Sequence, residues 1–416
     1  MKLVKIFLVV LTLLIVIAYL GTGIYLSRDK TLAPRHLPFL FTEAFDYAQG
    51  SFAEYHAWSE RRIQSSRLDL PDEELIARLL PFELLPDADC PMEPGNRWQR
   101  GIVLTHGLIA SPYSMLDIGE YFRERCFYVL GLLIPDHGTR PGDMLHSRWE
   151  EWMQAQHFFT NLMAQRVNDV YLSGHSAGGT MAVLEASRNE AVDALVLFTP
   201  SMGIVDVSRY AQFIRHLSLL FPKAAWFELE NDEAVYRYES FPFNAAAETW
   251  ALISETQKSL LVNPLQIPVM TVASVEDTTV ITQATIDFMQ AQNHPASFTL
   301  LYSQYPLLPI NNVEIQNSND FQNGILSVSH LGIMTPPDHV YYGFNGIYTY
   351  CGQYFGVDQE SYNQCKNGSR DYYGEITEDN LQRGVIERIM FNPWYDELLE
   401  RIDLFIDDVS MQTMQF

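Results

Sequence analysis

Short apolar runs alternate with segments of helical periodicity through the middle of the chain. Runs of this length bounded by turn residues are typical of buried strands. Their alternation with helical patterns predicts an α/β fold with a mostly parallel central sheet and helices on both faces. The predicted strands lie at residues 101–105, 127–134, 170–173, 194–199, 268–273 and 297–302.

Helical patterns also flank this region. Residues 42–62 and 72–80 predict two helices before the sheet, and residues 148–165 predict a helix within it. Near the C-terminus, Asn392 is a natural N-cap, Pro393 suits the first helical position, and an apolar stripe follows. We expect this last helix to close one side of the sheet.

The N-terminus carries a long apolar run. Residues 6–25 include no charged side chain, two lysines precede them, and Arg28 and Lys30 follow. A helix of that length spans roughly 30 Å, the thickness of a hydrocarbon core. We therefore predict an uncleaved single-pass anchor at residues 1–27, with the rest of the chain outside the cytoplasm. A cleaved signal peptide is the alternative, although Gly21-Thr22-Gly23 is only a passable cleavage site.

The pentapeptide Gly174-His175-Ser176-Ala177-Gly178 follows a predicted strand and precedes an apolar segment that permits a helix. Between a strand and a helix, Gly-x-Ser-x-Gly forms a nucleophile elbow, a turn so tight that only glycine tolerates the crowding on either side. Such a turn raises the serine hydroxyl above the end of the sheet. Ser176 is therefore the candidate nucleophile. The alternative interpretation is a glycine-rich turn with a solvated serine.

The first predicted strand runs into His106-Gly107-Leu108. A strand that ends in this way is typical of one half of an oxyanion hole. The backbone N–H groups of Leu108 and Ala177 would face the negative charge that develops on a carbonyl oxygen under attack. The side chain of His106 is compatible with a purely structural role, because this chemistry uses only the backbone beyond it.

An acid and a histidine follow Ser176 in the order that such a triad requires. Asp277 comes just past a predicted strand, and Glu276 is the second choice; a helix N-cap is the alternative role for both. His330 lies in a loop of small residues, whereas His339 follows an exposed Pro-Pro-Asp turn. Histidine has an ordinary pKa near neutrality and can deprotonate a serine, and Asp277 would hold its useful tautomer.

These residues resemble the monoacylglycerol-lipase and carboxylesterase branch of the α/β-hydrolase superfamily. The resemblance covers roughly residues 100–335, and besides the residues above it rests on Ile134-Pro135-Asp136-His137-Gly138-Thr139-Arg140 and on Trp149 and Trp152. It implies an α/β-hydrolase fold in which the loop 136–142 flanks the substrate pocket. On this basis we expect substrate-binding roles for His106, Gly107, His137 and His175.

The family inserts a cap over the pocket after strand six, and residues 201–257 interrupt the alternation at that position. This segment is rich in aromatic residues, which would suit either an apolar roof or a small helical core. The predicted organisation is an anchor at 1–27, a juxtamembrane region at 28–97, a catalytic domain at 98–200 and 258–416, and the cap. A surface insertion at 305–324 accounts for the long interval between Asp277 and His330, and the role of residues 336–373 stays open.

Composition excludes some functions. The 416 residues include 47% hydrophobic side chains, enough to bury a large core, and the net charge of −24 argues against a nucleic-acid partner. None of the four cysteines has the spacing of a zinc site, and we expect neither a metal nor a cofactor. Cys351 and Cys365 would suit a local disulfide, and free thiols in a reducing compartment are the alternative.

The sequence thus predicts a membrane-anchored serine hydrolase that cleaves carboxylic esters with an apolar acyl part through an acyl-enzyme. An acyltransferase, or an amidase or peptidase that uses the same triad, is the alternative. A candidate of another class is an inactive anchored binding module, and its sign in the sequence would be a broken triad.

Overall fold

A mostly parallel sheet lies at the centre of the computed structural model, which describes residues 2–28, 30–39, 41–70, 72–203 and 207–413. The strands in these residues are β1 (Phe82–Leu84), β2 (Met92–Glu93), β3 (Arg97–Thr105), β4 (Phe127–Leu132), β5 (Val167–His175), β6 (Ala194–Phe198), β7 (Trp226–Glu228), β8 (Phe241–Pro242), β9 (Val269–Ser274), β10 (Phe298–Ser303), β11 (Val313–Asn317), β12 (Tyr372–Gly374) and β13 (Ile386–Arg388). The sheet order is β1-β4-β3-β5-β6-β9-β10-β11, with β2 added beside β3. Only the β1–β4 and β2–β3 pairs of this sheet are antiparallel within the described ranges. The predicted strands correspond to β3, β4, β5, β6, β9 and β10, so the predicted α/β alternation is confirmed.

Helices cover both faces of the sheet. They are α1 (Lys2–Leu26), α2 (Phe52–Ser66), α3 (Glu73–Ala77), α4 (Leu116–Arg123), α5 (Trp149–Ala164), α6 (Ala177–Ala186), α7 (Val207–Ile214), α8 (Phe243–Val262), α9 (Thr282–Gln290), α10 (Gln359–Lys366), α11 (Glu378–Leu381) and α12 (Tyr395–Thr413). Alternate strand residues point to opposite faces. On one face Val103 and Leu172 pack with Phe159 of α5, and on the other Ile102 and Tyr171 pack in the cluster that holds the apolar stripe of α12.

The predicted surface insertion at 305–324 contains β11, which pairs in parallel with β10 and extends the sheet by one strand. Its residues are only partly buried, because an edge strand covers less of the core. A strand that packs on one side only lacks the continuous apolar run by which the central strands were recognised. This edge was therefore not visible in the hydrophobic pattern.

The segment 201–257 leaves the sheet after β6. Its described part holds α7, the antiparallel pair β7–β8 and most of α8. The boundary expected at residue 257 falls inside α8, which continues to Val262. The buried Leu252 of α8 belongs to the same apolar cluster as the central strands, so this helix joins the segment to the main core.

The prediction of a single-pass membrane anchor is wrong. A span requires about 20 consecutive apolar residues in a helix, and no helix in the described ranges is both long enough and apolar enough to cross a bilayer. The end of α1 instead contacts protein: the Tyr19 hydroxyl donates to the carbonyl of His216 at 2.8 Å, and Leu26 packs against the cluster of Ala211 and Phe243. The membrane location and the membrane partner, which both depended on that anchor, are corrected with it.

Residues 336–394, here called the C-terminal region, include a separate two-stranded sheet. Strands β12 and β13 pair in parallel, and a disulfide joins Cys351 to Cys365. The second disulfide joins Cys90 to Cys126. Four tyrosines of this region pack with residues of other segments in one cluster, whose aromatic members are Tyr113, Tyr236, Tyr341, Tyr342, Tyr348 and Tyr350.

Candidate active site

Ser176 lies in the sharp turn that joins β5 to α6. Its backbone has φ 55° and ψ −119°, a conformation that L-residues rarely adopt. The turn is closed by tight backbone packing, since a Cβ on Gly174 would come within 2.3 Å of the Gly178 backbone. A Cβ on Gly178 would come equally close to the carbonyl oxygen of Thr105. The two glycines are therefore required by the local geometry, as a nucleophile elbow demands.

The Ser176 side chain reaches a cavity of about 360 Å³. Its Oγ lies 3.2 Å from Oγ of Ser201, which follows β6 at the same edge of the sheet. Most of the cavity wall is apolar and includes Leu108, Phe227 and Phe243. Ser201 carried no signal in the sequence, because only the parallel pairing of β5 with β6 brings it beside the elbow.

Asp277 and His330 meet at the wall of this cavity. Nδ1 of His330 donates to Oδ2 of Asp277 at 2.6 Å, and both side chains are almost completely buried. The backbone N–H groups of Thr279 and Val280 donate to the other carboxylate oxygen. Burial opposes ionisation of Asp277, but the adjacent imidazole and these amides outweigh it, and the pKa of Asp277 is lowered from its ordinary value.

This pairing fixes the orientation of the imidazole. With its Nδ1 proton held by Asp277, His330 has Nε2 as its acceptor nitrogen. His330 and Ser176 both line the cavity. The structure therefore places the serine and the histidine at one cavity and the acid against the histidine, although the three are separated in the sequence.

The two expected oxyanion donors belong to residues that line the same cavity, Leu108 after β3 and Ala177 at the start of α6. In the part of the chain that the structure describes, neither N–H donates to a backbone acceptor. Free N–H groups at the first turn of a helix and in the facing loop can receive a negative oxygen.

The expected substrate-binding residues divide into two groups. His175 lines the cavity, while His106, Gly107 and His137 are not among the lining residues that the structure describes. His106 stabilises the segment that follows β4, because its Nε2 accepts the N–H of Ile134. Its Nδ1 contacts the carbonyl of Gly107. A Cβ on Gly107 would lie 2.7 Å from Nδ1 of His175, so glycine is required there for packing.

Burial keeps these histidines neutral. It lowers the pKa of His137 to about 4 and, together with the charge of His330, lowers the pKa of His175 to about 3. Nε2 of His175 lies 2.9 Å from the carbonyl oxygen of His330, and the two rings are 4.8 Å apart. His175 thus packs directly against the imidazole of His330, which forms a dyad with Asp277.

The second-choice residues lie elsewhere. Glu276 turns away from His330: one of its oxygens accepts the N–H of Gln304 and the other the hydroxyl of Ser274. His339 packs between Tyr113 and Tyr342 and faces Asp117 at 3.5 Å. Neither is among the described residues that line the cavity.

The C-terminal region contributes unexpected residues to the cavity wall, among them Tyr342, Tyr350 and Arg388. They lie far from the motifs in the sequence, and no local pattern marked them. Within the described ranges, no group of three or more His, Cys, Asp and Glu side chains is arranged to hold a metal ion.

Comparisons with known proteins agree with this architecture. A model of the alpha/beta hydrolase family matches residues 102–304. A thermostable monoacylglycerol lipase from Bacillus sp. (strain H-257) is 25% identical over 111 residues, which are 27% of this chain and 43% of the lipase. The chain thus matches less than half the length of that relative.

Solved structures to which the chain shows some similarity include a monoacylglycerol lipase from Paleococcus ferrophilus, at 16% identity and a TM-score of 0.42, with 54% of this chain and 88% of the other covered. Est1E from Butyrivibrio proteoclasticus, determined with ferulic acid bound, is 17% identical with a TM-score of 0.39 and coverages of 54% and 85%. A soluble variant of the monoglyceride lipase from Saccharomyces cerevisiae is 12% identical with a TM-score of 0.42 and coverages of 54% and 82%.

Proposed function

We propose that this chain, which belongs to the α/β-hydrolase family, is a serine hydrolase that cleaves carboxylic esters with an apolar acyl part. The family match over residues 102–304 and the lipase relative confirm the resemblance to the monoacylglycerol-lipase and carboxylesterase branch. The observation that carries the proposal is the 2.6 Å contact between His330 and Asp277 at the cavity that also holds the elbow serine. A serine, a base and an orienting acid in this arrangement are the elements of nucleophilic acyl transfer.

In the proposed mechanism, Nε2 of His330 takes the proton of the Ser176 hydroxyl as Oγ attacks the ester carbonyl. The N–H groups of Leu108 and Ala177 hold the resulting oxyanion, and each such donor typically contributes on the order of 100- to 1,000-fold in rate. Asp277 stabilises the imidazolium through its hydrogen bond to Nδ1.

The tetrahedral intermediate then collapses as the bond from carbon to the alcohol oxygen breaks. The imidazolium gives its proton to that oxygen, and the acyl group stays on Ser176. Water attacks the acyl-enzyme with His330 as base, and the acid product leaves with the hydroxyl of Ser176 restored.

The composition of the cavity supports an ester with an apolar acyl part. Phe227, Phe243 and Met334 line it beside the candidate nucleophile, and apolar surface of this kind favours hydrocarbon over charged groups. The aromatic residues of the 201–257 segment thus contribute to the wall of the pocket, which is the role proposed for a cap.

A substrate panel tests this function. Purified protein is assayed with p-nitrophenyl esters of increasing chain length, with matched anilides, and with an added alcohol as a competing acceptor. We expect ester hydrolysis that exceeds anilide hydrolysis, with free acid as the main product, and loss of this activity in Ser176→Ala. Anilide cleavage at a comparable rate would favour an amidase, transfer to the alcohol would favour an acyltransferase, and no turnover of any substrate would contradict the proposal.

A further inference from the structure

We propose that Glu375 and Arg388 are positioning residues that hold the His330–Asp277 dyad in its working geometry. The inference rests on the proposed function, because it concerns the same dyad. Both residues lie outside the segment 102–304 that matches the hydrolase family, in the C-terminal region of this chain. That region would then complete the active site as well as cover it.

Glu375 joins the two loops that carry the dyad. Its side chain is completely buried. Oε2 accepts the backbone N–H of His330 at 3.0 Å, and Oε1 accepts the hydroxyl of Thr278, next to Asp277, at 3.1 Å. One carboxylate thereby ties the histidine loop to the acid loop.

Arg388 completes the connection. Its Nε lies 2.8 Å from Oε1 of Glu375, and its Nη2 donates to Oε2 at 3.0 Å. The same Nη2 donates to the hydroxyl of Thr279 at 2.9 Å. The N–H of Thr279 in turn donates to the carboxylate of Asp277. The ion pair therefore contacts the backbone of His330 directly and reaches Asp277 through Thr279.

The small sheet of the C-terminal region fixes both side chains. Glu375 directly follows β12 and Arg388 ends β13, and Gly374 lies opposite Arg388 in their parallel register. The N–H of Arg388 donates to the carbonyl of Tyr350, the neighbour of the disulfide-bonded Cys351. Burying an ion pair costs desolvation free energy, so a buried pair is by itself weak evidence of a contribution to stability. The contacts of this pair to both loops therefore indicate a role in positioning the dyad.

The charges around His330 set the sign of the expected pH effects. The carboxylates of Asp277 and Glu375 contact His330, the guanidinium of Arg388 pairs with Glu375, and the ring of His175 packs on His330. Arg237 also lines the cavity and acts on His175. Loss of the Glu375 charge leaves Arg388 unpaired, and its positive charge then disfavours the imidazolium form of His330. The acid limb of the profile of kcat/KM against pH should therefore move to lower pH. Loss of the Arg388 charge should move it to higher pH.

The test measures kcat, KM and the pH dependence of kcat/KM for Glu375→Gln, Arg388→Gln and the double variant. We expect kcat of Glu375→Gln to fall about tenfold or more with little change in KM, since a buried charge-assisted contact is lost. The acid limbs of the single variants should shift in opposite directions, and that of the double variant should return toward wild type. A general loss of folding would not produce shifts of opposite sign.

Glu387→Gln is the matched control. Glu387 precedes Arg388 on β13 and pairs with Arg370 at 2.8 Å, and its described contacts do not reach the dyad loops. We expect its kcat and pH profile to match wild type.

Wild-type levels of kcat and an unshifted acid limb in folded Glu375→Gln would overturn the positioning role while ester hydrolysis by the wild type stands. Absence of wild-type hydrolysis would instead overturn the proposed function. If Glu375→Gln does not fold, Arg388→Gln decides alone: a shift to higher pH supports the role, and an unshifted limb contradicts it.

Discussion

The exchange Asp277→Asn gives a sharp prediction about the dyad. One oxygen of Asp277 accepts the N–H groups of Thr279 and Val280 at 2.7 and 3.0 Å, and the other accepts the Nδ1 proton of His330 at 2.6 Å. In the asparagine variant, the amide oxygen keeps the two backbone donors, and the NH₂ group must then face Nδ1. His330 would have to accept at Nδ1 and carry its proton on Nε2, where it cannot take the proton of Ser176.

The expected loss follows from this change of tautomer. The equivalent exchange in serine proteases lowers kcat about 10,000-fold while the geometry is retained, and we expect a loss of that order here. The exchange also removes a carboxylate whose pKa is lowered in the folded protein. Its contribution to stability is present above the pKa of the unfolded chain and is lost as pH falls through the folded pKa, so the destabilisation of the variant should shrink in strong acid.

The assay is steady-state hydrolysis of a p-nitrophenyl ester, with circular dichroism and thermal unfolding to show that the variants are folded. Glu276→Gln is the control, because Glu276 is the neighbouring carboxylate and its oxygens bond to Gln304 and Ser274. We expect its kcat to stay within about threefold of wild type, since the glutamine oxygen can still accept the N–H of Gln304. A folded Asp277→Asn with kcat within tenfold of wild type, or a larger loss in Glu276→Gln, would refute this assignment of the acid.

Further predictions concern the elbow, the disulfide and the buried histidines. Gly178→Ala should lower the midpoint of thermal unfolding strongly or prevent folding, because its Cβ would lie 2.3 Å from a carbonyl oxygen; an unchanged midpoint would contradict the close packing. Replacing Cys351 and Cys365 together by serine should lower the free energy of unfolding by about 3 kcal/mol in urea titrations, and an unchanged midpoint would contradict a stabilising bridge. The free energy of unfolding should fall as pH drops below about 6.5. Burial lowers the pKa of His175 to about 3 and that of His137 to about 4, so the unfolded chain binds protons at a higher pH than the folded chain does. His137→Gln should reduce the slope of the free energy of unfolding against pH by up to about 1.4 kcal/mol per pH unit. An unaltered slope would contradict the burial of His137 in its neutral form.

The features that depend on local rules were predictable from the sequence. The central strands form where apolar runs occur, because a strand covered on both faces must be apolar at every position. The elbow depends on Gly174 and Gly178, whose small size the turn requires. The structure also brings Asp277 and His330 together in the expected order, while their catalytic roles stay predictions.

The start of α2 is marked by a local sequence signal that the predicted boundary did not take into account. The first helix was expected at residues 42–62, whereas α2 begins at Phe52. The hydroxyl of Ser51 accepts the N–H of Glu54, and the Glu54 carboxylate accepts the N–H of Ser51. This reciprocal capping box is legible as Ser-x-x-Glu and marks where the helix starts.

Other features arise from contacts between distant segments. Cys90 pairs with Cys126 across 36 residues, and spacing alone does not identify that partner. Glu375 reaches His330 only because the C-terminal region folds back over the dyad loops. The length of the apolar run at residues 6–25 likewise says nothing about what the resulting helix contacts. Such features need the assembled fold, since no local periodicity encodes them.

The central claim is that Ser176 is the nucleophile, and a fluorophosphonate probe tests it most directly. Mass spectrometry after digestion should find the adduct on Ser176 in the wild type, no adduct in Ser176→Ala, and a retained adduct in Ser201→Ala, whose hydroxyl lies only 3.2 Å from that of Ser176. An adduct that persists in Ser176→Ala, or that maps to Ser201 in the wild type, would contradict the account.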